Sequence, residues 1–280
     1  MDSGQGLEHD LMVKIESMNL LAFDTSTDAM SIAVQRGVGA APQVWQHTSA
    51  GGAHASTTLI PAIQQLMQQA NLRFDELDAI AFGRGPGSFT GLRTACSVAQ
   101  GLAFGAGVPV LPVDTLLAVA EQARLERSLR SGGNDFTAAS MVSGGLGGLG
   151  APDASMGVPG RFRVLAVLDA RMGAVYAANY EFSRGLWNQH KSYSLIRPDN
   201  LLLEDGWAMA GNAFAAYGGR MPAGNAIRIH ALPTASAMLR LAPALLAVGH
   251  AVSADQALPI YIRDKVAKTT QERLLEKAAA

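Results

Sequence analysis

The sequence contains little that would support a metal centre, a disulfide or a membrane span. Cys96 is the single cysteine, which excludes an internal disulfide and a zinc site built from several cysteines. Only 16% of the residues are charged and the formal net charge is −1, which argues against a dedicated nucleic-acid-binding protein. No apolar run reaches the roughly 20 residues that cross a bilayer, and the first residues lack the apolar core of a secretory signal. We expect a reducing, cytoplasmic location and no membrane partner.

The six histidines also lack the spacing of a metal site. A helical metal site needs a second histidine one turn later, but the residue four positions after His54 is Thr58. We therefore predict no metal and interpret His54 as a buried or capping residue. Cys96 lies among alanines within a predicted helix, as a small core residue does, and no nucleophile elbow occurs. No catalytic residue and no cofactor are predicted.

Composition divides the chain into four parts. Residues 1–17 form an N-terminal extension, and residues 18–127 form a first α/β half. Residues 128–160 contain nine glycines and little charge, so they predict a flexible insert. Residues 161–280 form a second half that ends in a mixed-charge tail.

The two halves repeat one pattern. "LLAFDTSTDAMSIAV" (20–34) and "VLAVLDARMGAVYAANY" (164–180) are each an apolar strand, an aspartate, a short turn and a second strand. The aspartates are Asp24 and Asp169. A third strand follows each pair, and helices and strands then alternate. Two βββαβαβα halves predict a duplicated α/β fold that resembles the actin-like ATPase (ribonuclease H-like) fold.

In actin-like ATPases the first aspartate can hold magnesium and water near the nucleotide phosphates. Close approach of backbone to phosphate usually needs glycine, but "DTSTD" has none and "DARMG" places Arg171 and Met172 first. Two interpretations stay open. Either the aspartates cap their own turns, which we favour, or a vestigial nucleotide site remains; its residues would be Asp24, Thr25, Ser26, Asp169 and Gly211.

"GRGPGSFTGLR" (83–93) joins a strand to a helix. It is neither a Walker A loop nor a dinucleotide fingerprint. Ser88 is a good N-cap, and Gly91, Ala95 and Ala99 give the helix a face of small residues that lets another helix approach closely. We predict a helix-packing device, inside the chain or with a partner, and anion binding at the helix start is a secondary possibility.

Taken together, "LLAFDTSTDAMSIAV", "GRGPGSFTGLR", "DARMGAVY" and "PIYIRDKVA" resemble the bacterial TsaB (YeaZ) family. The resemblance implies a non-catalytic dimerisation subunit in the synthesis of threonylcarbamoyladenosine, the modified base beside the tRNA anticodon. It further implies pairing with the metalloenzyme TsaD, contact with the small ATPase TsaE, tRNA engaged through the complex, and a possible homodimer when alone. It places the TsaD interface on the two long helices of the first half, with these candidates: Leu59, Ile63, Leu66, Met67, Ala70, Ser88, Gly91, Leu92, Ala95 and Ala99.

Two other functions compete with this interpretation. An ATP-dependent small-molecule kinase would use Asp24 and Asp169 to hold magnesium–ATP. Alternatively, the tail "PIYIRDKVAKTTQERLLEKAAA" (259–280), which we interpret mostly as a solvated segment, could bind tRNA phosphates directly through its basic residues Arg263, Lys265, Lys268, Arg273 and Lys277.

Overall fold

Two five-stranded sheets with the same strand order form the frame of the chain. The computed structural model describes residues 17–37, 42–131, 161–222 and 226–263. Residues 1–16 of the predicted extension, residues 132–160 of the insert and the tail from residue 264 lie outside the described residues. Within the described ranges, no helix is long and apolar enough to cross a membrane.

The first half contains three antiparallel strands followed by alternating helices and strands. The strands are β1 (Leu20–Asp24), β2 (Ala29–Arg36), β3 (Gln43–Ala50), β4 (Ala79–Gly85) and β5 (Val110–Asp114). The helices are α1 (Ala55–Gln69), α2 (Phe89–Ala106) and α3 (Thr115–Ser131). The sheet order is β3-β2-β1-β4-β5, with β4 and β5 parallel to β1.

The second half repeats this arrangement in shorter form. Its strands are β6 (Arg161–Asp169), β7 (Val175–Ser183), β8 (Leu186–Ile196), β9 (Ala208–Gly211) and β10 (Arg228–His230), and its helices are α4 (Phe214–Tyr217) and α5 (Ala235–Ala247). The sheet order β8-β7-β6-β9-β10 is equivalent to that of the first sheet. The duplicated actin-like α/β fold predicted from the sequence is therefore confirmed. The clearest difference is that a 3₁₀ turn, Pro198–Asn200, stands where the first half has α1.

The helices form two layers on the first sheet. On one face, α1 and α2 pack against Leu21, Phe23 and Ile80. On the other, α3 and α5 pack against residues such as Leu20. Because α3 also contacts the second sheet, the two halves share a core.

The end of α3 differs from the predicted boundary. The glycine-rich insert was predicted from residue 128, but α3 continues to Ser131. The Ser128 hydroxyl donates to the Arg124 carbonyl oxygen at 3.0 Å. Since residues 115–131 contain no glycine, the chain can remain helical up to Gly132.

Candidate functional site

The β1–β2 turn and the β6–β7 turn line a cleft of about 330 Å³ between the halves. Arg171, in the second turn, forms an ion pair with Asp28, in the first. Asp28, Arg171 and Asp169 all line the cleft. The β1–β2 and β6–β7 turns, which would hold phosphates in an actin-like ATPase, are thus joined to each other by an ion pair.

Each aspartate of the repeat caps its own turn. The Ser26 amide donates to Asp24 Oδ1 at 2.8 Å, and the Arg171 amide donates to Asp169 Oδ1 at 2.7 Å. Asp169 also accepts a bond of 3.0 Å from the Tyr217 hydroxyl. The interpretation of both aspartates as turn caps is confirmed.

The five residues predicted as a vestigial nucleotide site do not form one ligand-facing surface. Asp24 and Thr25 are fully buried and do not line the cleft. The Thr25 hydroxyl is committed to the Gly91 carbonyl oxygen at 2.7 Å. Gly211 has φ +147°, and a Cβ there would lie 1.7 Å from the Val167 carbonyl oxygen, so this glycine serves strand packing. The residues present do not fit magnesium–nucleotide, and the kinase alternative finds no support in this geometry.

Burial perturbs the carboxyl of Asp24. Its Oδ2 is buried without a hydrogen-bond partner, while Ser26 donates its amide and hydroxyl to Oδ1. Desolvation raises the pKa of Asp24 to about 6, although the bonds from Ser26 oppose the rise. The folded chain therefore favours the protonated carboxyl.

This perturbation predicts a pH-dependent stability. With a pKa near 6 when folded and 3.8 as the ordinary value, the contribution of Asp24 is fully present below pH 3.8 and is lost as pH rises through 6. Between pH 4 and pH 7 the loss should be about 2 kcal/mol. Urea unfolding of the wild type and of Asp24→Asn across this range measures it: the stability difference between them should shift by that amount in favour of the variant. Parallel curves would contradict the assignment.

The glycine-rich stretch packs against the β1–β2 turn of its own chain. A Cβ on Gly83 would lie 1.8 Å from Asp24 Oδ2, and one on Gly91 would lie 1.8 Å from the Thr25 carbonyl oxygen. The Ser88 amide donates to the Ser26 carbonyl oxygen at 2.7 Å. Ser88 occupies the N-cap position of α2 as predicted, but its side chain forms no capping bond. The stretch is a packing device, but at these positions it packs on a turn of its own chain and not on another helix.

Most of the side chains predicted for the partner interface lie in the core of this chain. Nine of the ten are buried: Leu59, Ile63, Leu66, Met67, Ala70, Gly91, Leu92, Ala95 and Ala99. Ser88 alone is exposed. The reason is that the apolar stripe of an amphipathic helix indicates which side is buried but not what buries it. Here the first sheet and the β1–β2 turn cover that side, so those side chains cannot meet a partner in this fold.

The remaining predicted residues behave as ordinary structural groups. His54 occupies the N-cap position of α1, but its side chain is exposed and makes no capping bond. Cys96 is buried, burial raises the pKa of its thiol, and it donates to the Ala257 carbonyl oxygen at 3.2 Å. Among the described residues, no group of three histidine, cysteine, aspartate or glutamate side chains is arranged to hold a metal ion.

Sequence reasoning missed the segment Ala257–Arg263. It runs along α2 to the cleft, where Ile260, Tyr261 and Arg263 form part of the wall. The sequence predicted "PIYIRDKVA" as a family signature and as the start of a solvated tail, and the second prediction is wrong at Arg263, which is bonded to Arg171 and Met172. Irregular backbone carries no periodicity, so no local signal could have placed this segment.

Comparison with known proteins identifies the family. Residues 35–148 match the family described as TsaD: tRNA N6-adenosine threonylcarbamoyltransferase. The tRNA threonylcarbamoyladenosine biosynthesis protein TsaB of Haemophilus influenzae is 32% identical, over 90% of this chain and 96% of its own length. Its namesake in Escherichia coli is 29% identical, over 89% and 96%. The solved structure of YeaZ from Pseudomonas aeruginosa is 32% identical, with a TM-score of 0.68 over 88% of this chain and 100% of that one. The chain belongs to the TsaB (YeaZ) family.

Proposed function

We propose that the chain is a non-catalytic subunit in the formation of threonylcarbamoyladenosine, pairing with and activating a TsaD-type transferase that modifies the adenosine beside the anticodon. The observation that carries the proposal is the similarity to relatives named for this biosynthesis along 96% of their length. The match of residues 35–148 to the TsaD family supports a common fold for the two partners. tRNA would be engaged through the complex, which would also include a TsaE-type ATPase.

The non-catalytic role is supported by the state of the candidate reactive groups. Asp24 and Cys96 are buried, and Cys96 is bonded to a backbone carbonyl. Asp169 is held by its own turn and by Tyr217. Asp24 is fully buried and does not line the cleft, and Cys96 and Asp169 each have a partner within the chain, so none of the three is placed to act as a nucleophile or a general base.

The outward faces of α1 and α2 supply the partner surface in this proposal. Phe104, near the end of α2, is 84% exposed, which is unusual for a large apolar side chain. A Cβ on Gly101 or Gly105 would meet nothing within 4 Å, so the helix surface beside the ring is open. An exposed aromatic anchor beside small residues suits the close approach of a partner helix. On α1, Ile60 is also an exposed apolar residue, at 42%.

Replacing Phe104 tests this surface. Phe104→Lys should weaken binding to the TsaD homologue of the same organism about tenfold or more, because an aromatic anchor is lost and a charge is buried in its place. Leu202→Lys is the matched control, since Leu202 is a comparably exposed apolar residue (80%) in the second half. Calorimetric titration measures both affinities. Equal affinities for the two variants would exclude the α2 face as the interface.

A transfer assay tests the role itself. The chain alone should not move a threonylcarbamoyl group onto tRNA, and it should accelerate a TsaD homologue in the presence of a TsaE homologue. Light scattering during size-exclusion chromatography gives the assembly state, in which a 1:1 complex would replace any homodimer of the chain alone. Transfer by the chain alone, unimproved by the partner, would overturn the proposal.

A further inference from the structure

The segment Ala257–Arg263 contacts both halves of the chain. Its first residue is fixed to the first half: the carbonyl oxygen of Ala257 accepts bonds from Gln100 Nε2 at 2.9 Å and from Cys96 Sγ at 3.2 Å. Both donors lie on α2. Ala257 is fully buried, so the anchor is part of the core.

The middle of the segment is fitted to the start of α2. The Ile260 amide donates to the Arg84 carbonyl oxygen at 2.7 Å. The Ile260 carbonyl oxygen lies 2.7 Å from where a Cβ of Gly85 would be, and Gly85 has φ +117°, so only glycine suits this position. The Tyr261 ring packs on Phe89 with centroids 5.0 Å apart, and the Tyr261 hydroxyl accepts a bond of 3.2 Å from Arg93 Nε.

The end of the segment reaches the second half. Ile262 packs against the core between α3 and the second sheet. Arg263 donates to the Arg171 carbonyl oxygen at 3.3 Å and to the Met172 sulfur at 2.9 Å. Arg171 and Met172 have φ +61° and +54°, a conformation that such residues adopt only when their surroundings hold it. Seven residues thus join the start of α2 to the β6–β7 turn.

We infer that Ala257–Arg263 is a strap that couples the start of α2 to the β6–β7 turn, with Tyr261 and Arg263 as its positioning residues. The Arg171–Asp28 ion pair is a second link between the first half and the β6–β7 turn, and both of its partners are well exposed. An exposed pair contributes little by itself, whereas the strap is held by hydrogen bonds at the buried Ala257 and at the Ile260 backbone. Loosening either end of the strap should loosen the element at the other end.

Hydrogen–deuterium exchange on the full chain tests this coupling. The described ring and hydroxyl contacts of Tyr261 are with the first half, yet in Tyr261→Ala amide exchange should rise about tenfold both over residues 88–96 and over residues 168–176, the β6–β7 turn. Arg263→Ala removes bonds to the β6–β7 turn, and amide exchange should again rise over both regions, including residues 88–96. Leu258→Ala is the matched control, because Leu258 lies in the same segment with its side chain 66% exposed.

The outcomes separate coupling from local damage. Faster exchange over 88–96 alone in Tyr261→Ala would overturn the inference, as would a uniform rise that includes β3. If Tyr261→Ala does not fold, Tyr261→Phe removes only the bond from Arg93, and the same two regions should change by a smaller factor. A Tyr261→Phe variant with unchanged exchange over 168–176 would then overturn it.

Discussion

Replacing Gly91 by alanine is expected to destabilise the folded chain by about 3 kcal/mol or more. The added Cβ would lie 1.8 Å from the Thr25 carbonyl oxygen. The oxygen belongs to the backbone and the Cβ is attached directly to it, so neither atom can rotate out of the way. Gly91 is inside α2, and Thr25 is held in the turn by its bond to the Gly91 carbonyl oxygen. Relief requires α2 to move away from the first sheet.

Gly101→Ala is the matched control for Gly91→Ala. Gly101 lies in the same helix, but a Cβ there would meet nothing within 4 Å. Alanine favours helix over glycine by up to about 1 kcal/mol, so this variant should be neutral or more stable. Urea unfolding monitored by circular dichroism measures both. Stabilities within 1 kcal/mol of each other would show that α2 does not approach the turn this closely.

The burial of Gly91 and Ala95 makes them unsuitable positions for interface variants. Large residues placed at Gly91 or Ala95 would report on folding before they reported on a partner, because both positions face the core. Phe104 and Gly101 lie on the outward side of the same helix and leave the core intact. Interface variants belong on this outward side.

The sequence predicted the elements of the fold well, because they are local. Strand–aspartate–turn–strand occurs at Asp24 and again at Asp169, and the alternation of helices and strands follows from periodicity. The repeat fixed the fold class, since two equal halves require two equivalent sheets. The turn-capping role of the aspartates was also readable, since Asp in a short turn bonds the amide two residues on.

The sites depended on contacts that no local pattern encodes. Periodicity marked Leu59 and Ile63 as buried but could not say whether a sheet or a partner covers them. Gly91 meets Thr25 across 66 positions, and Arg93 meets Tyr261 across 168. The burial of Glu121 could not be predicted either, because a single acidic residue in a helix normally faces solvent.

Replacing Glu121 by alanine is expected to cost about 3–5 kcal/mol of folding free energy. Glu121 is on α3 and only 2% exposed. It accepts bonds from Arg124 at 2.8 Å and 2.9 Å, from Arg240 of α5 at 2.9 Å and from Trp187 of β8 at 3.0 Å. Alanine would leave two guanidinium groups without their counter-charge at the junction between the halves.

The charge of Glu121 is stabilised in the folded chain. Burial by itself raises the pKa of its carboxyl, but the guanidinium groups of Arg124 and Arg240 outweigh burial and hold the pKa below the usual value. A lowered folded pKa contributes stability above pH 4.5, and that stability is lost as pH falls through the folded pKa. Glu121→Gln keeps the shape without the charge, so its deficit relative to the wild type should be largest near neutral pH and should shrink in acid.

Glu126→Ala distinguishes this cluster from a general effect of removing acids from α3. Glu126 is on the same helix, but its one described side-chain bond is from Gln122 at 3.3 Å. Its replacement should change stability by about 0.5 kcal/mol or less. Denaturant unfolding of Glu121→Ala, Glu121→Gln and Glu126→Ala at pH 7 and pH 4 gives the comparison. If Glu121→Ala cost no more than Glu126→Ala, the cluster around Glu121 would not contribute measurably to stability. A large cost confined to Glu121, reduced in acid for the glutamine variant, would show that one buried carboxylate joins α3, α5 and β8.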